Sequence, residues 1–266
     1  MPFTRTRAAS LFAAAVSATL LTSLAIAPTS DAMSLASHAK KGDRVVQVYL
    51  ARHGQTILNV LGRVQGWTDS PLTDAGRLTA TTVGTNLGKE IGKVDKVYSA
   101  DMMRHYQTAD LMKQGVGRKL SVTKDAALRE VNFGGWEGST NAEMQLAGAK
   151  HLGYSSVEEA AAAVSIPEFI QAVKDTNPVA SLPAENCDDV NARALPALNK
   201  IARSDAKGRG TGKVLVVSSG LTIVCVLDAL GTEVAFPGIS NGAVSLLEYR
   251  AGTWTVKSVN DTHYAG

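Results

Sequence analysis

Val45-Val46-Gln47-Val48-Tyr49-Leu50-Ala51-Arg52-His53-Gly54-Gln55-Thr56 is the stretch whose reading decides the fold. Its first six residues make a mainly apolar run of strand length, and the run empties into Arg-His-Gly. A strand ending there puts both side chains in the crevice outside the carboxyl end of an α/β sheet, where ligands bind. The pair suits phosphate. A guanidinium fork matches two phosphate oxygens, and an imidazole is an available nucleophile near neutral pH.

Working outward, strand-like and helix-like segments alternate. A helix is expected over 73–91, opened by a Thr-Asp cap, then a short strand over 96–99 and a helix over 102–113. A strand-like piece at 120–123 leads to Leu128-Arg129-Glu130. Residues 188–206 carry a long helical pattern interrupted by Pro196, and 214–217, 244–249 and 254–259 read as strands. Arg250-Ala251-Gly252-Thr253 is a hairpin signal joining the last two. The fold class is α/β: a three-layer α/β/α arrangement with a mostly parallel central sheet, an antiparallel edge, and an Ala-rich helical insertion at 141–183 lying over the site.

The N-terminus reads as a secretory signal. Arg5 and Arg7 precede an apolar stretch over 11–27, and cleavage after Ala32 fits the small-residue rule with Ser30 at −3. An uncleaved anchor is the alternative, since the apolar run approaches the roughly 20 residues of a membrane span. The domains expected are therefore a signal peptide at 1–32, a linker at 33–44 and one catalytic-type domain at 45–266. Secretion or another extracytoplasmic location follows, with no membrane attachment after cleavage. Of the 266 residues, 234 remain, enough for one α/β domain. The net charge of +3 falls to +2 on removal of Arg5, Arg7 and Asp31, which gives no electrostatic case for a nucleic-acid partner. Cys187 and Cys225 are able to pair in an oxidising compartment, but Cys225 lies in the apolar helix expected over 221–230 and reads first as an inert core thiol. No His or Cys spacing suits a metal.

Four blocks, in order, resemble the histidine phosphatase superfamily, in its phosphoglycerate mutase-like branch. The first is Arg52-His53-Gly54-Gln55-Thr56 with Asn59, continued by Gln65-Gly66-Trp67-Thr68-Asp69-Ser70-Pro71-Leu72-Thr73 and Gly76. The second runs from Ser99 to Ala109 and carries Arg104. Leu128-Arg129-Glu130 with Phe133-Gly134-Gly135-Trp136-Glu137-Gly138 is the third, and Asn260-Asp261-Thr262-His263 the last.

The resemblance implies a phosphomonoester hydrolase in which His53 takes the phosphoryl group as a phosphohistidine. Arg52, Asn59 and Arg104 would hold the phosphoryl oxygens. Glu130 would protonate the leaving oxygen and then activate water, with Glu137 as its competitor for that role. Thr56, Gln65 and Gly66 are further substrate-contact candidates. No cofactor and no metal is implied, and the partner expected is a small phosphorylated substrate or ligand. His105, about 100° round a helix from Arg104, reads as a surface residue.

The departure is Ser219, in Ser218-Ser219-Gly220, where the family's pattern has a second histidine. A serine donates a hydrogen bond but carries no charge, so slowed turnover is expected, with Ser219 kept as a phosphate-site residue. A catalytically silent phosphate-ligand-binding pseudophosphatase is the alternative. A mutase, which must retain and reorient a phosphorylated sugar acid, fits an exported chain poorly. A serine nucleophile at 219 lacks the Gly-x-Ser-x-Gly surroundings of a strand-to-helix elbow.

Overall fold

The computed structural model describes residues 44–206 and 210–266. The expected signal peptide and all of the expected linker but Arg44 lie outside the described residues. Arg44 is anchored to the domain, its Nη2 2.7 Å from Asp205 Oδ2.

Six strands are present among the described residues: β1 (Val46–Arg52), β2 (Lys96–Ser99), β3 (Val122–Lys124), β4 (Gly212–Ser218), β5 (Val244–Arg250) and β6 (Thr253–Asp261). They form one sheet in the order β3-β2-β4-β1-β5-β6. β1 runs parallel to β4, from Val46 opposite Gly212 to Arg52 opposite Ser218. β2 is parallel to both β4 and β3, whereas β5 and β6 add antiparallel. The hairpin turns on Ala251 and Gly252, with φ of 51° and 94°, as a two-residue turn matched to strand twist requires.

The central strands are buried on both faces, which is why they read as continuous apolar runs. Val46, Val48 and Leu50 of β1 join Val214 and Val216 of β4 on one face, while Tyr49 and Ala51 join Leu215 and Val217 on the other. The second face is covered by α2 (Asp74–Ile91) and α3 (Met103–Val116), through Ala80, Val83 and Leu87 and through Ala109, Met112 and Val116. The first face is covered by α7 (Cys187–Asp205) and α8 (Gly220–Ala229), through Val190, Ala194, Leu198, Ile223 and Leu227. The three-layer arrangement follows from this two-sided burial, each buried Val or Leu contributing about 1.5–3 kcal/mol.

Side-chain caps set the helix starts. Thr73 Oγ1 accepts from Gly76 N at 3.0 Å and so opens α2. A short α1 (Ile57–Val60) opens on a Thr56–Asn59 capping box. The insertion forms three helices, α4 (Asn141–His151), α5 (Val157–Ala163) and α6 (Ile166–Asp175), with capping boxes at Thr140–Glu143 and Ser165–Glu168.

Two expectations are corrected. α7 runs unbroken through Pro196, because Ala194, Ala197, Leu198 and Ile201 bury one face on both sides of it. That packing outweighs the roughly 3 kcal/mol that an interior proline costs. Cys225 is not a free thiol: the first residue of α7 lies against the middle of α8, and Cys187 and Cys225 are joined as a disulfide with Cα atoms 5.1 Å apart.

Candidate active site

Because β1 and β4 are parallel neighbours in register to their last residues, His53 and Ser219 emerge side by side at the carboxyl edge of the sheet. His53 N donates to Ser218 O at 3.0 Å, and His53 O accepts from Asn241 Nδ2 at 3.0 Å. The following loop must pass in backbone contact with the first turn of α2. A Cβ on Gly54 would sit 2.6 Å from Gly76 O, and one on Gly76 2.1 Å from Gln55 O. Neither position tolerates a side chain.

His53 is held as a nucleophile needs to be. Its Nδ1 lies 2.8 Å from Gly54 O, and a carbonyl only accepts, so Nδ1 carries the proton and Nε2 keeps the lone pair. Burial, then the nearby Arg104 and Arg52 charges, push its pKa well below the ordinary 6.5. The ring is neutral at pH 7.

A cavity of about 190 Å³ opens beside it. Of the expected site residues, Arg52, His53, Asn59, Gln65 and Glu130 line it. Arg52 donates through Nη1 to Ile239 O, while its buried Nε has no partner. Asn59 uses Oδ1 to accept from Thr56 N, leaving its Nδ2 free.

Glu130 is docked on the first turn of α8. Oε1 accepts from Thr222 N at 2.9 Å and Val131 N at 3.0 Å, and Oε2 accepts from Leu221 N at 3.2 Å. Glu137 does a different job. Its carboxylate accepts from the amides of Gly66, Trp67, Thr68 and Phe133 at 2.7–3.1 Å, so it pins the loop over 65–69 and is absent from the cavity wall.

Arg104, Thr56, Gly66 and Ser219 do not line the cavity. Arg104 is fully buried under the same loop, donating to Gly66 O at 2.7 Å, to Thr68 O and Asp69 Oδ1 at 3.1 Å each, and through Nε to the Gln65 amide oxygen at 3.0 Å. Its donors are spent on the loop, so in this structure Arg52 and not Arg104 is the arginine of this pair that lines the cavity. Thr56 caps α1 and accepts from the Gln65 amide nitrogen at 2.7 Å. A Cβ on Gly66 would lie 2.2 Å from Val131 O. Both position the wall without being part of it.

The expectation that His105 is a surface residue is overturned. It is 0 % exposed, its Nε2 lies 2.6 Å from Ser219 Oγ, and its ring meets His53 edge-on with centroids 5.2 Å apart. Burial, then Arg104 and His53, push its pKa well below 6.5. A signal for this existed: His105 precedes Ala109, Met112 and Val116 by four, seven and eleven residues, which places it on the buried stripe of α3.

Sequence reasoning also missed Arg63, Asn141, Met144 and Gln145, which line the cavity mouth. The insertion does reach the site, but through α4. Two of its basic residues are engaged elsewhere, Lys174 pairing with Asp189 at 2.6 Å and His151 lying 3.6 Å from Asp175. Asn260, from the last block, braces the site from behind: its Oδ1 accepts from Ser240 N at 2.8 Å, holding the loop that carries Ile239 and Asn241. Among the described residues no group of three or more His, Cys, Asp or Glu is placed to hold a metal ion, and no helix is long and apolar enough to cross a membrane.

Comparison with known proteins agrees with the fold. A relative named "Probable phosphoglycerate mutase GpmB" from Cronobacter sakazakii is 27 % identical over 230 residues, covering 83 % of this chain and 95 % of its own. Among solved structures, a phosphoglycerate mutase from Bacillus anthracis is 36 % identical with a TM-score of 0.77, covering 84 % of this chain and 96 % of its own. A mycobacterial glucosyl-3-phosphoglycerate phosphatase, solved as a complex with VO3, is 26 % identical with a TM-score of 0.60, covering 82 % of this chain and 99 % of its own. The model of the histidine phosphatase superfamily (branch 1) matches residues 48–262, so the chain belongs to that superfamily.

Proposed function

We propose that the chain is an exported phosphomonoester hydrolase working through a phosphohistidine on His53. The observation that carries this reading is the His53 ring itself: neutral, with Nδ1–H fixed on Gly54 O and Nε2 bare beside the cavity. Superfamily membership supports phosphoryl transfer in general.

In the reaction, His53 Nε2 attacks phosphorus and the bond to the leaving oxygen breaks, that oxygen taking a proton from Glu130. A water then attacks the phosphohistidine and gives Glu130 a proton, the P–N bond breaks, and inorganic phosphate leaves. Arg52, whose Nε is an unpaired buried donor, and Asn59, whose Nδ2 is free, hold the phosphoryl oxygens. A volume of about 190 Å³ is below the roughly 300–1,000 Å³ of pockets for drug-sized ligands, which suits a small phosphomonoester. The disulfide fits export to an oxidising compartment.

One observation favours a second reading, a silent phosphate-ligand-binding protein: Arg104 is committed to the 65–69 loop, which leaves the phosphoryl group one guanidinium. Turnover of p-nitrophenyl phosphate by the purified chain and by His53→Ala decides between them. Hydrolysis that disappears in the variant supports the hydrolase. Phosphate binding without hydrolysis in either supports the binder.

A further inference from the structure

We propose that His105 is a positioning residue of the phosphoryl site, fixing the Ser219 hydroxyl so that its proton is offered to the phosphoryl group on His53. The proposal rests on the hydrolase reading above and adds a donor and its support to it.

An imidazole at this place is not what packing asks for. His105 sits on a stripe otherwise made of Ala109, Met112 and Val116, and its Nδ1 is buried with no partner. An unpaired buried polar atom carries an uncompensated desolvation cost, which an apolar side chain would avoid. What the ring gains is one short bond, 2.6 Å from Nε2 to Ser219 Oγ.

Either direction of that bond leaves one buried donor over, Nδ1–H of His105 or the hydroxyl of Ser219; a phosphoryl oxygen on His53 is an acceptor for the second and not for the first, so we place the proton on Nε2. His105 Nε2–H then donates to Ser219 Oγ, and the serine proton is left unclaimed. Ser219 is the residue before α8, yet its side chain does not cap the helix and makes no other hydrogen bond. Ser219 itself is fully buried and off the cavity wall, but it follows the strand that pairs with the one leading to His53, and its neighbours Gly220 and Leu221 line the cavity together with Arg52 and His53. A free serine hydroxyl rotates; one whose oxygen is pinned from behind is a preorganised donor, the kind that stabilises charge developing on phosphoryl oxygens. The same proton placement argues against Ser219 as a nucleophile, since Nε2–H cannot take the serine proton.

The test uses the full chain with p-nitrophenyl phosphate for turnover and inorganic phosphate for affinity by titration calorimetry. His105→Leu fills the space without a donor, and His105→Gln keeps an N–H near the position of Nε2. The expected result is a loss of kcat of roughly 10²-fold in Ser219→Ala and in His105→Leu, with no further loss when the two are combined. His105→Gln should recover most of what His105→Leu loses, a rescue that a purely structural role would not produce. Ser219→His should gain nothing, because a second ring would enter a fully buried place already occupied by His105. Full turnover in His105→Leu, losses that multiply in the double variant, or a gain in Ser219→His would overturn the proposal.

If the unaltered chain binds phosphate without turnover, the hydrolase reading fails by itself, and affinity decides for the dyad. Weaker phosphate binding in Ser219→Ala and His105→Leu but not in His105→Gln supports it, and equal binding in all of them overturns it. Absence of phosphate binding overturns both.

Discussion

The His105 ring stands edge-on to the His53 ring at an interplanar angle of 87°, and neither imidazole has appreciable access to water. Two fully buried rings next to Arg52 and Arg104 stay neutral, with burial as the larger cause and the guanidinium charges adding to it. That arrangement keeps a lone pair on His53 Nε2, and it makes the fold sensitive to acid.

In the unfolded chain both histidines titrate near 6.5, whereas in the folded chain their pKa values lie well below that. Below pH 6.5 the unfolded state therefore binds protons that the folded state does not. Stability is fully present above that pH and falls as the pH drops toward the folded values, by up to about 1.4 kcal/mol per pH unit for each ring. Urea unfolding between about pH 5 and 8 should show this fall, and His105→Leu should remove about half of the part due to the two rings. An unchanged slope in that variant would contradict the burial assignment.

The 65–69 loop hangs between Glu137, which accepts from three of its amides, and Arg104, which donates to its carbonyls. Glu137→Gln turns one acceptor into a donor facing amide N–H groups, and charge-assisted bonds are worth about 1.5–3 kcal/mol each. The expected outcome is a loss of roughly 2–4 kcal/mol in stability, with turnover surviving at reduced temperature. Glu130→Gln should abolish turnover at every temperature. Melting and kinetics measured on both variants separate the two carboxylates.

Arg104→Met leaves Asp69 and the carbonyls of Gly66 and Thr68 without their donor. We expect a loss of about 3 kcal/mol or more in stability. Arg52→Met, by contrast, should chiefly weaken binding of inorganic phosphate. Calorimetric titration of both variants checks this, and equal loss of phosphate affinity with no loss of stability in Arg104→Met would show that Arg104 leaves the loop for the ligand.

The disulfide closes a segment of 38 residues between α7 and α8. Loop-closure entropy for that length gives about 4 kcal/mol. Reduction, or Cys187→Ala with Cys225→Ala, should lower the unfolding free energy by about that amount in urea titrations. A chain whose stability does not respond to reductant would contradict the pairing.

Legibility in the sequence followed the reach of each physical cause. β1 and β4 were readable because strands buried on both faces leave apolar runs, and the start of α2 because Thr73 caps locally. The carboxyl edge of the sheet, and with it Arg52 and His53, followed from the apolar run of β1, whereas Glu130 was legible only through the resemblance of its block to the superfamily. What escaped depends on which distant surfaces meet. Cys187 and Cys225 come together only because α7 packs across α8. Arg63 and Gln145 reach the cavity through the placement of a loop and an inserted helix. His105 stands on the apolar stripe of α3, a periodic signal that was present in the sequence, but only the packing of α3 decides that Arg104 is buried under a loop and His105 beside His53.

The most direct test of the account is to quench the chain in the steady state with p-nitrophenyl phosphate and locate the trapped phosphoryl group by peptide mass spectrometry under conditions that preserve phosphohistidine. The account predicts an acid-labile phosphoryl group on His53, bonded through Nε2 and absent from His53→Ala. A phosphoryl group on Ser219, or turnover that persists in His53→Ala, would contradict it.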